Sequence, residues 1–460
     1  MTQPPLTRPV PIIVDAPPSK SLSHRKLVAA ALARGTTRLS RVLESDDTAR
    51  TIEVLRSVGA GIERTAPGEY TVAGMDGPPR GGRKTPVSCF MGESGTSCRL
   101  LTAVLAAGDG SFAVHGAPRL HERPMTELLE TLAILGTDIH FQAQPGFLPL
   151  VLDARGLSQA EGSWLPVRAE RSSQFLSGLL LAGPLAQNGL RLALAGERVA
   201  SWPYVCLTLQ TMEDSGCAVS VTTLVDGEWR ETDWRTMRTA HPGATRFRIR
   251  RGAYRPPAGD DAVVEGDYSG ASYLLAAGAI GPNPVTVTNL RRSSLQGDRR
   301  ILEILEDMGA TVSWSDTGVT VGPGRLRGIR LDMRHCPDLV PTVTVLASLS
   351  EGPTVLEGVG SLRHKESDRL AAPAEELSKT GARVTLSDDS MTILPALKRS
   401  GKPIRFSAHN DHRMAMSLAL FELTDMRLAL DDPSCVRKSF PSFWDAWKRI
   451  RPGTRLTEDL

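Results

Sequence analysis

The sequence has no CxxC pair, no marked excess of charge of either sign, no apolar run long enough to cross a bilayer and no G-x-x-x-x-G-K-[ST] phosphate loop. Its six cysteines (Cys89, Cys98, Cys206, Cys217, Cys336 and Cys435) are scattered, which argues against a disulfide framework or a zinc site and favours a reducing compartment. The 54 basic residues exceed the 51 acidic ones by only three, far short of what a nucleic-acid-binding surface needs. Any grip on an anion is then local. The opening MTQPPLTRP is polar, so no signal peptide or membrane span is read there and a cytoplasmic protein is expected.

What the chain does have is a core and a repeat. With 460 residues, 41% of them apolar, and 42 glycines, two large domains are expected. Gly59, Gly136, Gly216, Gly309 and Gly381 end similar amphipathic stretches (VLRSVGAGI, TLAILGTDI, TMEDSGCAV, ILEDMGATV, LSKTGARV). Glycine there supplies a left-handed helix end at little cost. Upstream of each lies a helix apolar nearly all round, such as LVAAALA or FLSGLLLA, which implies burial on several sides. Alternating runs such as RLALAG and VTVTNL suit sheets on the outside. Each copy reads as β-α-β-α-β, and NDHRMAMSLALFEL opens a shortened sixth. The longest spacing, 93 residues, holds an apparent insertion over residues 221–262. Three copies plus three give domains of 1–18 plus 266–460 and of 19–265, with boundaries near DAPPSK and PPAGDDAVVEGD. A repeat scaffold without chemistry would show the same periodicity.

The residues at the helix starts argue otherwise. They gather Lys20, Ser21 and Arg25; Glu93, Ser94, Gly95 and Thr96; Ser172, Ser173 and Gln174; Asp267; Asp338; and Asn410, Asp411, His412 and Arg413. Helix N-termini carry unpaired N–H groups and a positive dipole end, so six facing one cleft would trap a small substrate bearing carboxylate and phosphate. Each motif alone has a plainer reading. APPSKS reads as a serine cap followed by a surface lysine, GESGT as a tight turn, and HKESDRL as a solvated charged turn. ERPM offers Pro124 as a helix-initiating residue with Arg123 just before it. NDHRMAM is harder to dismiss, because a buried helix start does not require four polar residues in a row.

Taken in order, PSKSLSHR, GESGTSCR, ERPM, SSQFLSGLL, EGDYSGASY, PDLVPT, HKESDRL, NDHRMAM and RKSFPSFW resemble the 5-enolpyruvylshikimate-3-phosphate synthase family of enolpyruvyl transferases, over about residues 10 to 450. The resemblance implies an α/β fold of two similar domains, each of three βαβαββ repeats with helices inside and sheets outside, and an active site in the cleft between them. It implies transfer of the enolpyruvyl group of phosphoenolpyruvate to the 5-hydroxyl of shikimate-3-phosphate, a step of aromatic amino-acid biosynthesis and the target of the phosphonate inhibitor glyphosate. Lys20, Gly95, Thr96, Arg123, Gln174, Arg369, Arg413 and Lys438 would then meet phosphoenolpyruvate. Lys20, Ser21, Arg25, Ser172, Ser173, Gln174, Ser201, Asp338 and Lys365 would meet shikimate-3-phosphate. Asp338 would take the proton of the attacking hydroxyl and Glu366 would protonate the methylene carbon, with Lys20, His412 and Lys438 as further participants in proton traffic. No metal or organic cofactor is expected, and the partners are the two small substrates acting on a monomer.

The chain departs from the usual family pattern at Glu93, where asparagine is common, at Leu100, where proline is frequent, and at Ser361, where a substrate-binding asparagine often stands. The nearest rival, UDP-N-acetylglucosamine enolpyruvyl transferase, usually carries a reactive cysteine five residues before its Arg-Pro pair; Pro118 stands there in this chain.

Overall fold

The computed structural model describes residues 10–257, 259–396, 403–424 and 426–451. The chain divides into two compact units. One comprises Met1–Pro17, Gly266–Ser294 and Asp298–Leu460; the other comprises Pro18–Glu265 with Leu295–Gly297. They are called here the 266–460 unit and the 18–265 unit.

Both are built from one supersecondary unit. In the 18–265 unit, the strand Val87–Phe90 runs parallel to Asp109–His115, and the helix Gly95–Ala106 is the crossover between them. A second helix, Thr126–Ile134, leads into the strands Asp138–Phe141 and Leu150–Arg155, and the last strand inserts between the second and third. The same order recurs twice in the 266–460 unit, around Val285–Thr288 and Thr354–Glu357. The sixth copy is reduced to the paired strands Ile404–Phe406 and Leu428–Leu430. The five repeat glycines all take positive φ, from 78° to 122°. That conformation is strained for any residue with a Cβ, so the recurring glycine marks where each second helix turns back into its hairpin.

Three helices of the 18–265 unit bring buried polar side chains together: α1 (Lys20–Leu32), α2 (Asp46–Ser57) and α3 (Gly95–Ala106). Twelve of the thirteen residues of α1 are buried, from Lys20 to Leu32 with only Ser21 partly open. Eleven of the twelve in α3 are buried, again with one exception, Thr96. Such helices are covered on every side, as their nearly continuous Ala/Leu content requires. In α2 the capping box is complete, with Ser45 accepting from the Thr48 N–H and the Thr48 hydroxyl accepting from the Ser45 N–H at 3.0 Å.

The opening strands are exchanged in sequence. Ile12–Asp15 leads into α1 of the 18–265 unit, yet pairs in parallel with Val285–Thr288 of the other unit's first sheet. Val263 leads towards the helix Tyr268–Ile280, yet bridges Ser40 at the end of Thr36–Leu39. Each unit therefore draws the backbone pairing at the edge of its first repeat, a strand in one case and a single bridge in the other, from the segment that precedes the other in sequence.

Two local expectations change. The stretch at 221–262 is not one insertion: Thr245–Ile249 is the regular last strand of its repeat, lying between Val219–Val225 and Leu190–Ala195. The extra material is the edge strand Glu228–Glu231 and the loop that follows it, which make this sheet five-stranded. Near Pro124, the helix begins at Thr126 with Met125 as its cap, so this proline lies outside it. Among the described residues no helix is long and apolar enough to cross a membrane.

Candidate active site

In the 266–460 unit the charged residues of PDL, HKESDRL and NDHRM converge. Asp338 sits in the 3-10 turn Pro337–Leu339 ahead of the buried helix Val340–Ser348. One carboxylate oxygen accepts from Arg369 at 3.0 Å, with Lys365 Nζ 3.9 Å away, and the other accepts from Arg413 at 2.9 Å. Arg369, 1% exposed, also donates to both oxygens of Asp411, at 2.7 and 3.0 Å, and lies 3.0 Å from Glu366. Asp411 caps the helix His412–Leu418 through the Arg413 N–H and takes a hydrogen bond from Ser367. His409 and Asn410, both at φ 51°, reverse the chain just before this cap, and both types tolerate the left-handed region better than most. His412 is fully buried, with Nδ1 3.6 Å from Asp411. Lys438, also buried, ends the 3-10 turn Pro433–Lys438, which packs on the helix His412–Leu418.

Burial alone would raise the Asp338 carboxyl's pKa, but Arg413, Lys365 and Arg369 outweigh it and hold the group well below the usual carboxylate range. Burial lowers the tendency of Arg369 to stay protonated, and the carboxylates of Asp411, Glu366 and Asp338 more than reverse that. Asp298 behaves oppositely. Buried beside this cluster and hydrogen-bonded to Ser269, it is pushed up to about 7, first by burial and then by the charge of Asp338. Burial similarly raises the Tyr273 hydroxyl, which accepts from Arg413, to about 12.

In the 18–265 unit the helix starts are held differently. Ser19 does not cap α1 with its side chain; its hydroxyl donates to Gln296, and Lys20 is buried in an ion pair with Asp47 at 3.0 Å. The plain reading of a capped helix with a surface lysine is therefore overturned, because nearly all of α1 lies in the core. Arg25, 1% exposed, donates to Thr208, to the Ser21 carbonyl and to the Tyr204 carbonyl at 2.8 to 3.0 Å, and burial brings it down to about 10. The Arg123 guanidinium lies against Gly95: a Cβ there would stand 2.7 to 2.8 Å from three of its atoms. Gln174 joins two helix starts, donating to the Thr96 hydroxyl at 2.9 Å and accepting from Arg99 at 3.0 Å. Ser172 caps the helix Ser173–Ala182 through the Gln174 N–H. Ser201 precedes Trp202–Asp214 in the left-handed conformation at φ 51°.

The sequence reading missed Asp47, Asp298, Ser367 and Tyr273. Asp47 in ESDDTAR looks like one more acid in a helix's first turn, and Asp298 in QGDRR looks like a loop residue; only the fold reveals what each faces. Glu375, Glu376 and His409 form the one group of potential metal ligands found among the described residues. Glu376 is fully buried and already accepts from Lys379, from the Ser407 N–H and, at 2.9 Å, from His409, which makes it a pin for the turn before Asp411.

This arrangement, two repeat-built units whose helix starts carry buried arginines, lysines and an ionised aspartate, defines an enolpyruvyl-transferase-type protein. The EPSP synthase (3-phosphoshikimate 1-carboxyvinyltransferase) family profile matches residues 7–237 and 239–447, and the chain belongs to that family. A 3-phosphoshikimate 1-carboxyvinyltransferase from Methanoculleus marisnigri is 38% identical over 442 residues, covering 96% of this chain and 97% of that protein. One from Nitrosomonas europaea is 38% identical over 445 residues, covering 95% of each. Among solved structures, the EPSP synthase of Acinetobacter baumannii superposes with a TM-score of 0.71 at 26% identity, covering 96% of both chains. The enolpyruvyl transferase NikO of Streptomyces tendae shares the fold at a TM-score of 0.69 and 16% identity, covering 97% of this chain and 96% of its own.

Proposed function

We propose that the protein transfers the enolpyruvyl group of phosphoenolpyruvate to the 5-hydroxyl of shikimate-3-phosphate and releases phosphate. The observation that carries the reading is Asp338, a carboxylate kept ionised by Arg369 and Arg413 with Lys365 alongside. A general base must be deprotonated and near its target, but one held this tightly by cations is a weak base. Phosphoenolpyruvate brings a carboxylate and a phosphate that Arg369 and Arg413 can grip bidentately. Sharing the two arginines loosens their hold on Asp338, and its proton affinity rises when the cosubstrate is in place.

The chemistry then runs as an addition followed by an elimination. The 5-hydroxyl oxygen bonds to C2 of phosphoenolpyruvate, its proton goes to Asp338, and the methylene carbon C3 is protonated by Glu366, giving a tetrahedral adduct. Glu366, left as the carboxylate, takes a C3 proton back, which re-forms the double bond as the C2–O bond to phosphate breaks and phosphate leaves. Lys20, Arg123, Gln174 and the Gly95–Thr96 turn supply the remaining contacts to phosphoenolpyruvate, together with Lys438. Ser21, Arg25, Ser172, Ser173, Ser201 and Lys365 hold shikimate-3-phosphate. His412, with Lys20 and Lys438, serves as a further group for proton transfer. Part of the proposal is that the two sets of residues, one from each unit, act on the same pair of substrates.

A phosphate-release assay with phosphoenolpyruvate tests this reading directly. Release is expected with shikimate-3-phosphate as acceptor and not with UDP-N-acetylglucosamine; the reverse preference overturns the reading.

A further inference from the structure

Beneath Lys20 and Gly95, four buried polar side chains join end to end where α1, α2 and α3 meet. His24 Nδ1 lies 2.8 Å from the Thr51 hydroxyl, which lies 2.8 Å from the Ser97 hydroxyl. Ser97 reaches the Ser94 hydroxyl at 2.7 Å and the Asp47 carbonyl at 3.2 Å. None of the four is more than 1% exposed. Apolar side chains would fill this space without the desolvation penalty that polar groups bring, so a continuous polar run here calls for an explanation beyond packing.

The run has a direction. Ser97 has a single hydroxyl proton, and both Ser94 Oγ at the cap of α3 and the Asp47 carbonyl in the first turn of α2 accept it. It must then accept from Thr51, whose own oxygen accepts from His24 Nδ1–H. This tautomer leaves His24 Nε2, which has no partner, as a bare lone pair. The opposite direction would bury an unpaired N–H, a costlier defect. Burial also drives His24 down to about 3, so the ring stays neutral and the direction does not change with ordinary pH.

At Ser97 the run branches to two neighbours of residues assigned above to phosphoenolpyruvate, while His24 anchors it in α1, one helical turn beyond Lys20. Ser94 caps α3 immediately before Gly95 and Thr96. Asp47 is gripped twice, with its carbonyl on Ser97 and its carboxylate on Lys20. We propose that His24, Thr51 and Ser97 are positioning residues that key Lys20 and the Gly95–Thr96 turn to one another, so that the phosphoenolpyruvate contacts are preformed. This rests on the function proposed above.

Steady-state kinetics on the full chain separates positioning from mere packing. Thr51→Val keeps the shape and removes the hydroxyl. It should raise KM for phosphoenolpyruvate about fivefold, the value of one buried hydrogen bond, with kcat and the KM for shikimate-3-phosphate within about twofold. Ser97→Ala should do the same from its branch point, the double variant should be little worse than either single one, and Thr51→Ser should restore the wild-type value. A fall only in melting temperature or apparent kcat, with KM for phosphoenolpyruvate unchanged, overturns the proposal, as does failure of Thr51→Ser to restore it. Imidazole nitrogen NMR of the wild type gives an arm that does not depend on any variant: Nδ1–H is expected on His24, and Nε2–H contradicts the run's direction. If wild-type protein releases no phosphate from the two substrates, the functional reading fails, whatever the NMR shows.

Discussion

The two units use one repeat but hold the residues proposed for the site by different forces. In the 18–265 unit, alongside the Lys20–Asp47 pair, hydroxyls, amides and carbonyls do much of the holding: Thr208 and two carbonyls on Arg25, Gln174 between Thr96 and Arg99, and Ser94–Ser97–Thr51–His24 below. In the 266–460 unit, full charges balance one another around Arg369 and Asp338. Neutral hydrogen bonds fix positions and change little when an anion arrives. A charge network redistributes, because each arginine shared with a substrate is withdrawn in part from its carboxylate. The first unit is suited to presenting rigid contacts, the second to changing protonation as substrate binds.

The sharpest way to break this contrast is Asp338→Ala. Turnover should fall by about 100- to 10,000-fold, the usual worth of a positioned proton acceptor, with substrate affinities in equilibrium binding changed far less. Near-normal turnover removes Asp338 as the base. Next comes Arg369→Met, which strands Asp411, Glu366 and Asp338 without their shared cation. A loss of about 3–5 kcal/mol is expected in denaturant unfolding, against about 1 kcal/mol for Thr208→Val, which removes a neutral partner of Arg25. Comparable losses would erase the distinction between the two units.

Gly95→Ala comes third. Its Cβ would displace the Arg123 guanidinium, so KM for phosphoenolpyruvate and the inhibition constant of glyphosate should both rise about tenfold, the overpacking cost of a tight site. An unchanged inhibition constant counts against that placement. The last is Asp298→Asn, read through its pH dependence. With its folded pKa raised to about 7, Asp298 keeps a proton in the folded protein that an unfolded carboxyl releases near pH 4. Wild-type stability is therefore penalised increasingly between about pH 4 and pH 7 and evenly above. The variant's melting temperature should match wild type near pH 4 and exceed it above pH 7, and a constant offset across that range contradicts a buried, proton-retaining Asp298.

Much of the fold was written in short-range signals. A positive-φ glycine after each second helix and helices apolar on all sides are local properties, and both appear in the structure at the expected places. The extra strand Glu228–Glu231 escaped because EWRETDW lacks the alternation of a half-buried strand; as an edge strand it needs none. Lys20 was misread for the opposite reason: the burial of a charged residue depends on Asp47, which lies 27 residues away and looks ordinary in sequence. Asp298 and Tyr273 act only through what tertiary packing sets beside them, and no spacing rule announces that.

The exchanged opening strand also has a consequence for biosynthesis. Ile12–Asp15 emerges from the ribosome some 270 residues ahead of its partner Val285–Thr288. At about 5–20 residues per second, the strand waits on the order of 15–50 s with its backbone groups unpaired, while the segment through Val263 is already complete. The nascent chain thus completes the first sheet of the 266–460 unit with a strand made before the whole of the 18–265 unit.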